Sequence, residues 1–322
     1  MTRAIRSSPP QSTPTKENAP VAFEQAMHAE MTALQLPRSF ADTVRTTYRE
    51  IAGALLARNT QTERPLVVGV CGCQGSGKST LAAFLKLLFD WQKHSTAILS
   101  LDDFYLSRQQ REKLAREIHP LLATRGVPGT HDVALGLKTL HRLCNAGVRS
   151  RTPMPAFQKA RDDRTPRKDW QVFRGRPALI LFEGWCVDAR PQAPAALRKP
   201  VNRLERDCDP AGIWRAYVND QLAGPYRDLF APIDVLLFMR APSFDCVYKW
   251  RGLQEKKLRH SARGDAVMNR KELEDFIMHY ERLTRWMLKE MPGRADILLP
   301  LASDQHIHAV EVRSPKARAP KT

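Results

Sequence analysis

The residues with the most definite chemistry lie in one short stretch that fits the pattern G-x-x-x-x-G-K-[ST] of a phosphate-binding loop. Its glycines allow backbone N–H groups to curl around a phosphate, and the following helix N-terminus adds partial positive charge. Lys78 is expected to reach the β- and γ-phosphates, and the Ser79 hydroxyl to ligate Mg²⁺. We therefore predict a site for a nucleoside triphosphate with Mg²⁺ at Gly72, Cys73, Gln74, Gly75, Ser76, Gly77, Lys78, Ser79 and Thr80.

Two adjacent carboxylates, Asp102 and Asp103, follow the apolar run Thr96–Leu101. In a parallel sheet the carboxyl ends of the strands form the active-site edge. A carboxylate beside the γ-phosphate can accept the proton of an attacking hydroxyl. One of the two acids is therefore a candidate general base, although the pair could instead cap the next helix.

Glu183 follows a second apolar run, residues 178–182, and precedes Gly184. An acid in this position is typical of the Walker B element, which holds Mg²⁺ directly or through water. The alternative is an acid that only ends a strand. We predict that Ser79 and Glu183 form the metal site and that Glu183 contributes to catalysis.

A basic segment separates the two acidic strand ends. Residues 104–176 contain sixteen Lys or Arg against six Asp or Glu, a surplus of ten positive charges. We expect this insertion to bind an anionic acceptor, and a solvated positive surface is the alternative for any single arginine.

A second basic run opens a helical stretch near residue 250. Phosphoryl transfer needs cations over the transferred group, and these often come from a mobile element. Arg251, Lys257 and Arg259 are therefore candidate lid residues, and Arg251 is also predicted to be catalytic. The alternative is a solvated helix face.

The pattern of apolar runs predicts the fold. Five runs of strand length alternate with helical stretches, which indicates a five-stranded, mainly parallel sheet covered by helices on both faces. With the phosphate-binding loop, this predicts an α/β fold of the P-loop NTPase type. We expect a basic disordered tail at residues 1–20, one P-loop domain at 21–312 and a basic tail at 313–322. Within the domain, 21–60 form a helical preface, 104–176 the acceptor insertion and 242–290 a helical lid with the following helix.

Composition removes several classes of function. The chain has 322 residues, a formal charge of +17 and 43% apolar residues. It has no apolar run long enough to cross a bilayer, and its N-terminus has no apolar h-region of a secretory signal. Six cysteines without a CxxC pair give no zinc cluster, and we expect a cytoplasmic protein with reduced thiols. The charge leaves open a nucleotide-dependent nucleic-acid-binding protein, which would need aromatic residues among the basic ones. We expect a small anionic partner, no membrane and no nucleic acid; no pattern predicts an oligomeric state.

The sequence resembles the P-loop kinases of the phosphoribulokinase, uridine kinase and pantothenate kinase group. Within that group it is similar to the plant-type D-glycerate 3-kinases and their bacterial and fungal relatives. The matching segments cover roughly residues 65–312 and read, in order, GCQGSGKST, LSLDDFY, RGVPGTHD, PMPAFQKARDDR, LILFEGW, APIDVLLF, VYKWRGLQE and FIMHYERLTRWM. The loop and FEG are common to the larger group, whereas PGTHD, FEGW and the WR–QE segment are more particular to the glycerate kinases.

The resemblance implies an ATP:D-glycerate phosphotransferase that forms 3-phosphoglycerate and ADP with Mg²⁺. It places the general base at Asp102, with Asp103 at a variable position of the motif. It further implies acceptor-binding residues at Asp103, Tyr105, His131, Asp132, Lys159 and Arg164. One departure is that Phe157 and Gln158 stand where the branch usually has a tyrosine and an aspartate. Uridine, pantothenate and phosphopentose are the alternative acceptors.

Overall fold

The computed structural model of the chain describes residues 19–59, 64–261 and 269–314, with the backbone alone at 19–20, 254–261 and 270. In the described residues ten strands form three sheets. In chain order the strands are β1 (Leu66–Gly72), β2 (Thr96–Ser100), β3 (Arg151–Met154), β4 (Phe157–Gln158), β5 (Asp163–Arg164), β6 (Gln171–Arg174), β7 (Leu179–Gly184), β8 (Val235–Arg240), β9 (Ile297–Pro300) and β10 (Glu311–Val312).

The five strands expected from the apolar runs lie together in the central sheet, which confirms the predicted fold class. Its order is β10-β9-β8-β1-β7-β2, and neighbours run parallel except β10, which is antiparallel to β9. Every residue of β1 and β7 is buried, as expected for strands covered on both faces. The sequence did not predict β10, because two exposed residues are too short to give a periodic pattern.

Helices cover both faces of the sheet. They are α1 (Ala19–Ala33), α2 (Phe40–Thr43), α3 (Arg49–Asn59), α4 (Lys78–Trp91), α5 (Arg108–Glu117), α6 (Val133–Cys144), α7 (Arg203–Cys208), α8 (Ile213–Ala223), α9 (Pro225–Phe230), α10 (Asp245–Ser261) and α11 (Arg270–Glu290), and a π-helical turn at Val44–Tyr48 joins α2 to α3. None of the helices in the described part of the chain has the length and apolar character needed to span a bilayer.

Side chains that alternate along β1 divide the core into two apolar clusters. Val68 and Val70 belong to the first, which includes α4 and the preface helices α1–α3. Val67 and Cys71 belong to the second, which includes residues of α6, α9 and α11. This period-two alternation is what a strand between two helical layers requires. Because β1 and β7 are held from both sides, the carboxyl ends of these strands have fixed positions.

The basic insertion leaves the sheet at the end of β2 and returns at the start of β7. It contains α5, α6, the antiparallel ribbon of β3 and β6, and the small hairpin of β4 and β5. In the central sheet β2 is an edge strand. The insertion therefore surrounds the end of β2, where Asp102 and Asp103 lie.

Of the predicted tails, residues 1–18 and 315–322 lie outside the described residues. The N-terminal boundary differs slightly from the prediction, because α1 begins at Ala19 and not after residue 20.

Candidate active site

The phosphate-binding loop connects β1 to α4. Gly75 has φ +79° and Gly77 has φ +89°, values at which a side chain would be strained. A Cβ on Gly75 would also lie 2.5 Å from the Cβ of Trp250, so the loop and α10 touch at this point. Lys78 is the first residue of α4, so its side chain lies beside the helix N-terminus that the phosphate pattern requires.

The other side chains of the loop divide into buried supports and unsatisfied polar groups. Cys73 is 3% exposed within the first apolar cluster, and burial raises its thiol pKa to about 12. Gln74 Oε1 and Ser76 Oγ are buried and have no hydrogen-bond partner in the described residues. Buried polar atoms normally have a partner, so these two fit a loop that closes around a polar ligand. Thr80 lies in the first turn of α4.

Glu183 and Ser79 meet at the carboxyl ends of β7 and β1. Glu183 Oε1 accepts hydrogen bonds from Ser79 Oγ at 3.1 Å and from Ser100 Oγ at 2.8 Å. Its second oxygen, Oε2, is buried without a hydrogen-bond partner in the described residues. An unpartnered carboxylate oxygen beside a hydroxyl is an oxygen donor set of the kind that Mg²⁺ prefers. The residues present therefore fit the predicted metal.

Asp102 lies directly after β2 with both carboxylate oxygens engaged. Oδ1 accepts a hydrogen bond from the Tyr105 hydroxyl at 3.0 Å, and Oδ2 lies 2.6 Å from the Lys159 ammonium. Burial on its own would raise the pKa of Asp102, but the positive charges of Lys159 and Lys78 outweigh it and hold the pKa well below its usual range. Asp102 is therefore a carboxylate at neutral pH, and it makes its ion pair with a residue of the basic insertion.

Asp103 has a different environment from its neighbour. Its Oδ1 accepts a hydrogen bond from the backbone N–H of Phe157 at 3.1 Å, which ties the end of β2 to the hairpin of β4 and β5. Burial raises the pKa of Asp103 to about 6, the Phe157 N–H opposes the shift, and the charge of Asp102 adds to it. Asp103 anchors the hairpin that carries Lys159.

His131 lies next to this pair of acids and is buried. Its ring stacks on Tyr105 with centroids 4.4 Å apart, and burial lowers its pKa to about 3, a shift that Asp102 opposes. The Tyr226 hydroxyl accepts a hydrogen bond from Gly129 N–H and lies 2.6 Å from His131 Nδ1. We infer that Tyr226 donates its proton to Nδ1, which leaves the neutral ring protonated at Nε2. Nε2 is buried and has no partner in the described residues.

Two other predicted acceptor residues, Asp132 and Arg164, are engaged within the protein. Asp132 Oδ1 accepts a hydrogen bond from Leu135 N–H and caps α6, and Oδ2 accepts one from Arg164 at 2.8 Å. Arg164 Nε also donates to the backbone carbonyl of Tyr105 at 2.8 Å. These contacts hold the loop before α6 against the hairpin, and so Asp132 and Arg164 shape the site around Asp102.

Of the predicted lid, the described side chain is that of Arg251 on α10. Its guanidinium lies 5.9 Å from the centroid of the Phe276 ring on α11, close enough for a cation–π contact. The side chains of Lys257 and Arg259 lie outside the described residues, although α10 passes through both positions. The neighbouring Trp250 is buried against Gly75 of the phosphate-binding loop and donates its indole N–H to Ser303.

No protein-family model matches the chain. An uncharacterized kinase of Schizosaccharomyces pombe, mug58, is 31% identical over 270 residues, which cover 80% of this chain and 90% of that protein. The chain belongs to this kinase family. This chain is also 33% identical over 226 residues to a chloroplastic D-glycerate 3-kinase of Arabidopsis thaliana. The match covers 67% of this chain and 46% of the plant protein. Among solved structures, a D-glycerate 3-kinase from Cryptococcus neoformans superposes with a TM-score of 0.69 at 25% identity, covering 83% of this chain and 99% of that one.

Sequence reasoning missed two polar residues that organise the site of the kinase. Ser100 lies opposite Glu183 in the register of β2 and β7, so a parallel alignment of the two strands would have found it. Arg111 is 1% exposed and donates to the carbonyls of Leu106, Ala123 and Asp162 at 3.2, 2.6 and 2.9 Å. No sequence signal separates Arg111 from the other basic residues of α5.

Proposed function

We propose that this kinase transfers the γ-phosphoryl group of ATP to the primary hydroxyl of D-glycerate, giving 3-phosphoglycerate and ADP. The observation that carries the proposal is the environment of Asp102. This carboxylate follows β2 and contacts Lys159 of the basic insertion. The positive charge of Lys78 in the phosphate-binding loop also lowers its pKa. A base in this position lies between a nucleotide site and an anion-binding segment.

The donor half of the reaction uses residues of β1, α4 and β7. The loop from Gly72 to Thr80 holds the phosphates, and Lys78 neutralises charge that moves toward the β–γ bridging oxygen. Ser79 and Glu183 would hold Mg²⁺, which would offset negative charge on the phosphates. Ser100 holds Glu183 Oε1 in place, and Oε2, which has no partner in the described residues, would be the metal ligand.

The acceptor half uses the basic insertion. D-glycerate has one carboxylate and two hydroxyls, so it needs a cation and hydrogen-bond donors. Lys159 supplies the cation and His131 Nε2–H a donor, and both lie beside Asp102. Phe157 is 9% exposed, with its ring edge-on to Tyr105 at 5.3 Å, and it closes the site from the side of the hairpin. This set suits a small acid in which the hydroxyl to be phosphorylated is near the carboxylate.

In the chemical step, Asp102 accepts the proton of the primary hydroxyl while the hydroxyl oxygen forms a bond to the γ-phosphorus. The bond between that phosphorus and the bridging oxygen breaks, and its electron pair leaves with ADP. Because the transition state is loose, alignment and charge stabilisation contribute more than proton removal. We assign Arg251, Lys257 and Arg259 to a lid on α10 that adds positive charge over the transferred group.

The relatives support the choice of acceptor within the class of alcohol kinases. The Arabidopsis protein and the Cryptococcus structure are both D-glycerate 3-kinases by name. The surplus of ten positive charges in residues 104–176 also favours an acid over a neutral nucleoside as acceptor. Uridine is neutral, so it could not form an ion pair with Lys159.

The test is ADP release from ATP and Mg²⁺ with D-glycerate, L-glycerate, uridine, pantothenate and ribulose 5-phosphate in parallel. We expect D-glycerate to give the highest kcat/KM, with the phosphate on the primary hydroxyl in the ³¹P spectrum. A Lys78→Ala variant is the control for contaminating kinases and should be inactive with every acceptor. Activity with another acceptor and none with D-glycerate would refute the substrate and keep the class of reaction.

A further inference from the structure

Each oxygen of the carboxylate assigned as the base accepts a hydrogen bond before any acceptor binds. Tyr105 holds Oδ1, and Lys159 lies 2.6 Å from Oδ2, the length of a strong charge-assisted hydrogen bond. A carboxylate that accepts a hydrogen bond at each oxygen and pairs with an ammonium has low affinity for another proton. Asp102 is therefore a poor proton acceptor in this arrangement, and loss of one of these contacts would make it a better one.

The two contacts of Asp102 differ in mobility. Tyr105 is 3% exposed and its ring is stacked on His131, so its hydroxyl is fixed. The Lys159 side chain is 62% exposed and ends a flexible four-carbon stem. The backbone that carries it is held on both sides, by Phe157 N–H on Asp103 and by Arg111 on Asp162. The Lys159 ammonium can thus leave Asp102 while its hairpin stays in place.

An anion that binds a different cation near the site cannot release Asp102. Arg164 is paired with Asp132, and Arg125 is paired with Asp162. An anion that bound either arginine would leave the ion pair between Lys159 and Asp102 intact. An anion that binds Lys159 removes the cation from Oδ2, the oxygen that would then be free to accept a proton.

We propose that Lys159 blocks Asp102 until the carboxylate of the acceptor draws the ammonium away, so that the base becomes active only when an acidic acceptor is bound. The inference rests on the proposed function in one respect, since it takes Asp102 as the base. When the acceptor carboxylate pairs with Lys159, Oδ2 takes the proton of the acceptor hydroxyl, the new O–P bond forms, and ADP leaves with the electron pair. A water molecule brings no carboxylate, so it meets a blocked base, and ATP is protected from hydrolysis.

The first test measures ADP and phosphate release from ATP and Mg²⁺ without an acceptor. We expect Lys159→Gln to raise this hydrolysis at least ~10-fold, less than the ~10²–10⁴-fold that a base supplies to a well-positioned acceptor. The double variant Lys159→Gln, Asp102→Asn should lose the increase, because it has no carboxylate to release. Lys168→Gln removes an exposed lysine elsewhere in the insertion and should leave hydrolysis unchanged. Unchanged hydrolysis in Lys159→Gln overturns the proposal.

The second test compares D-glycerate with glycerol, which has the same primary hydroxyl and no carboxylate. In the wild-type protein kcat/KM for D-glycerate should greatly exceed that for glycerol, and Lys159→Gln should reduce the ratio ~100-fold. A reduced ratio without increased hydrolysis also overturns the proposal, because it describes a lysine that only binds the substrate. The first test uses no acceptor, so it remains decisive if the proposed function fails and the true acceptor is another acid.

Discussion

Replacing Asp103 by asparagine separates the two jobs of this side chain. The aspartate accepts a hydrogen bond from Phe157 N–H and also carries a charge in a buried setting beside Asp102. Asparagine keeps the accepting oxygen and removes the charge. We therefore expect the Asp103→Asn protein to keep its hairpin in place and to be more stable than the wild type at neutral pH.

The size of the effect follows from the pKa of Asp103, which is raised from 3.8 to about 6. Two pKa units correspond to about 3 kcal/mol. The folded protein holds this proton more tightly than the unfolded chain between pH 4 and 6, so the free energy of unfolding falls as the pH rises through that range. The penalty is fully present above pH 6 and is lost below pH 4. Asp103→Asn should thus gain up to about 3 kcal/mol at pH 7.5, and about 1 kcal/mol less at pH 5.

Urea unfolding of both proteins at pH 5 and pH 7.5 measures this difference. The slope of the free energy of unfolding against urea concentration should be the same for the two proteins. Asp103→Ala is the matched control, since it removes both the charge and the oxygen that accepts from Phe157. It should lower kcat/KM for the acceptor about tenfold, because the hairpin loses a fixed point. An Asp103→Asn protein that gains no stability at pH 7.5 would refute the electrostatic reasoning.

Three further changes test separate parts of the site. Asp102→Ala should leave ATP binding nearly intact while lowering turnover at least ~100-fold, measured by nucleotide titration and ADP release. Glu183→Gln should raise the Mg²⁺ concentration for half-maximal activity ~10–100-fold, measured by Mg²⁺ titration at fixed ATP. Arg111→Leu leaves three backbone carbonyls without their donor and should lower the free energy of unfolding by about 3 kcal/mol, measured by urea unfolding.

For each of these three substitutions, one outcome would contradict the expected effect. Unchanged turnover in Asp102→Ala would remove the base from the mechanism, and lost ATP binding would place the residue in the donor site instead. An unchanged Mg²⁺ requirement in Glu183→Gln would exclude it from the metal site. Normal stability in Arg111→Leu would mean that water replaces the guanidinium at the three carbonyls.

The parts of the fold that sequence could predict are those with local signals. Apolar runs gave all five parallel strands, because a strand buried on both faces needs an uninterrupted run. The phosphate-binding loop was recognised because its glycines and Lys78 have fixed spacing along one turn. Strand β10 was missed because pairing with β9, and not its own composition, makes Glu311–Val312 a strand.

The contacts of the site depend on distance in space, so the sequence could name the residues but not their partners. Asp102 and Lys159 are 57 residues apart, and neither position predicts that their side chains form an ion pair. Asp132 and Arg164 are both predicted acceptor residues, but the sequence did not predict that they pair with each other. Arg111 looks like any solvated arginine of a charged helix until three carbonyls from separate segments are found around it.

The edge position of β2 has a consequence for how such enzymes diversify. Donor residues lie on β7 and just after β1, which are interior strands, whereas Asp102 and the start of the insertion follow an outer strand. Changes in length or sequence between β2 and β7 can therefore accumulate without disturbing the strands that hold the nucleotide. Phe157 and Gln158 lie in this replaceable part of the chain. One arrangement of strands for binding ATP can in this way serve different alcohols, each selected by a different insertion at the same edge.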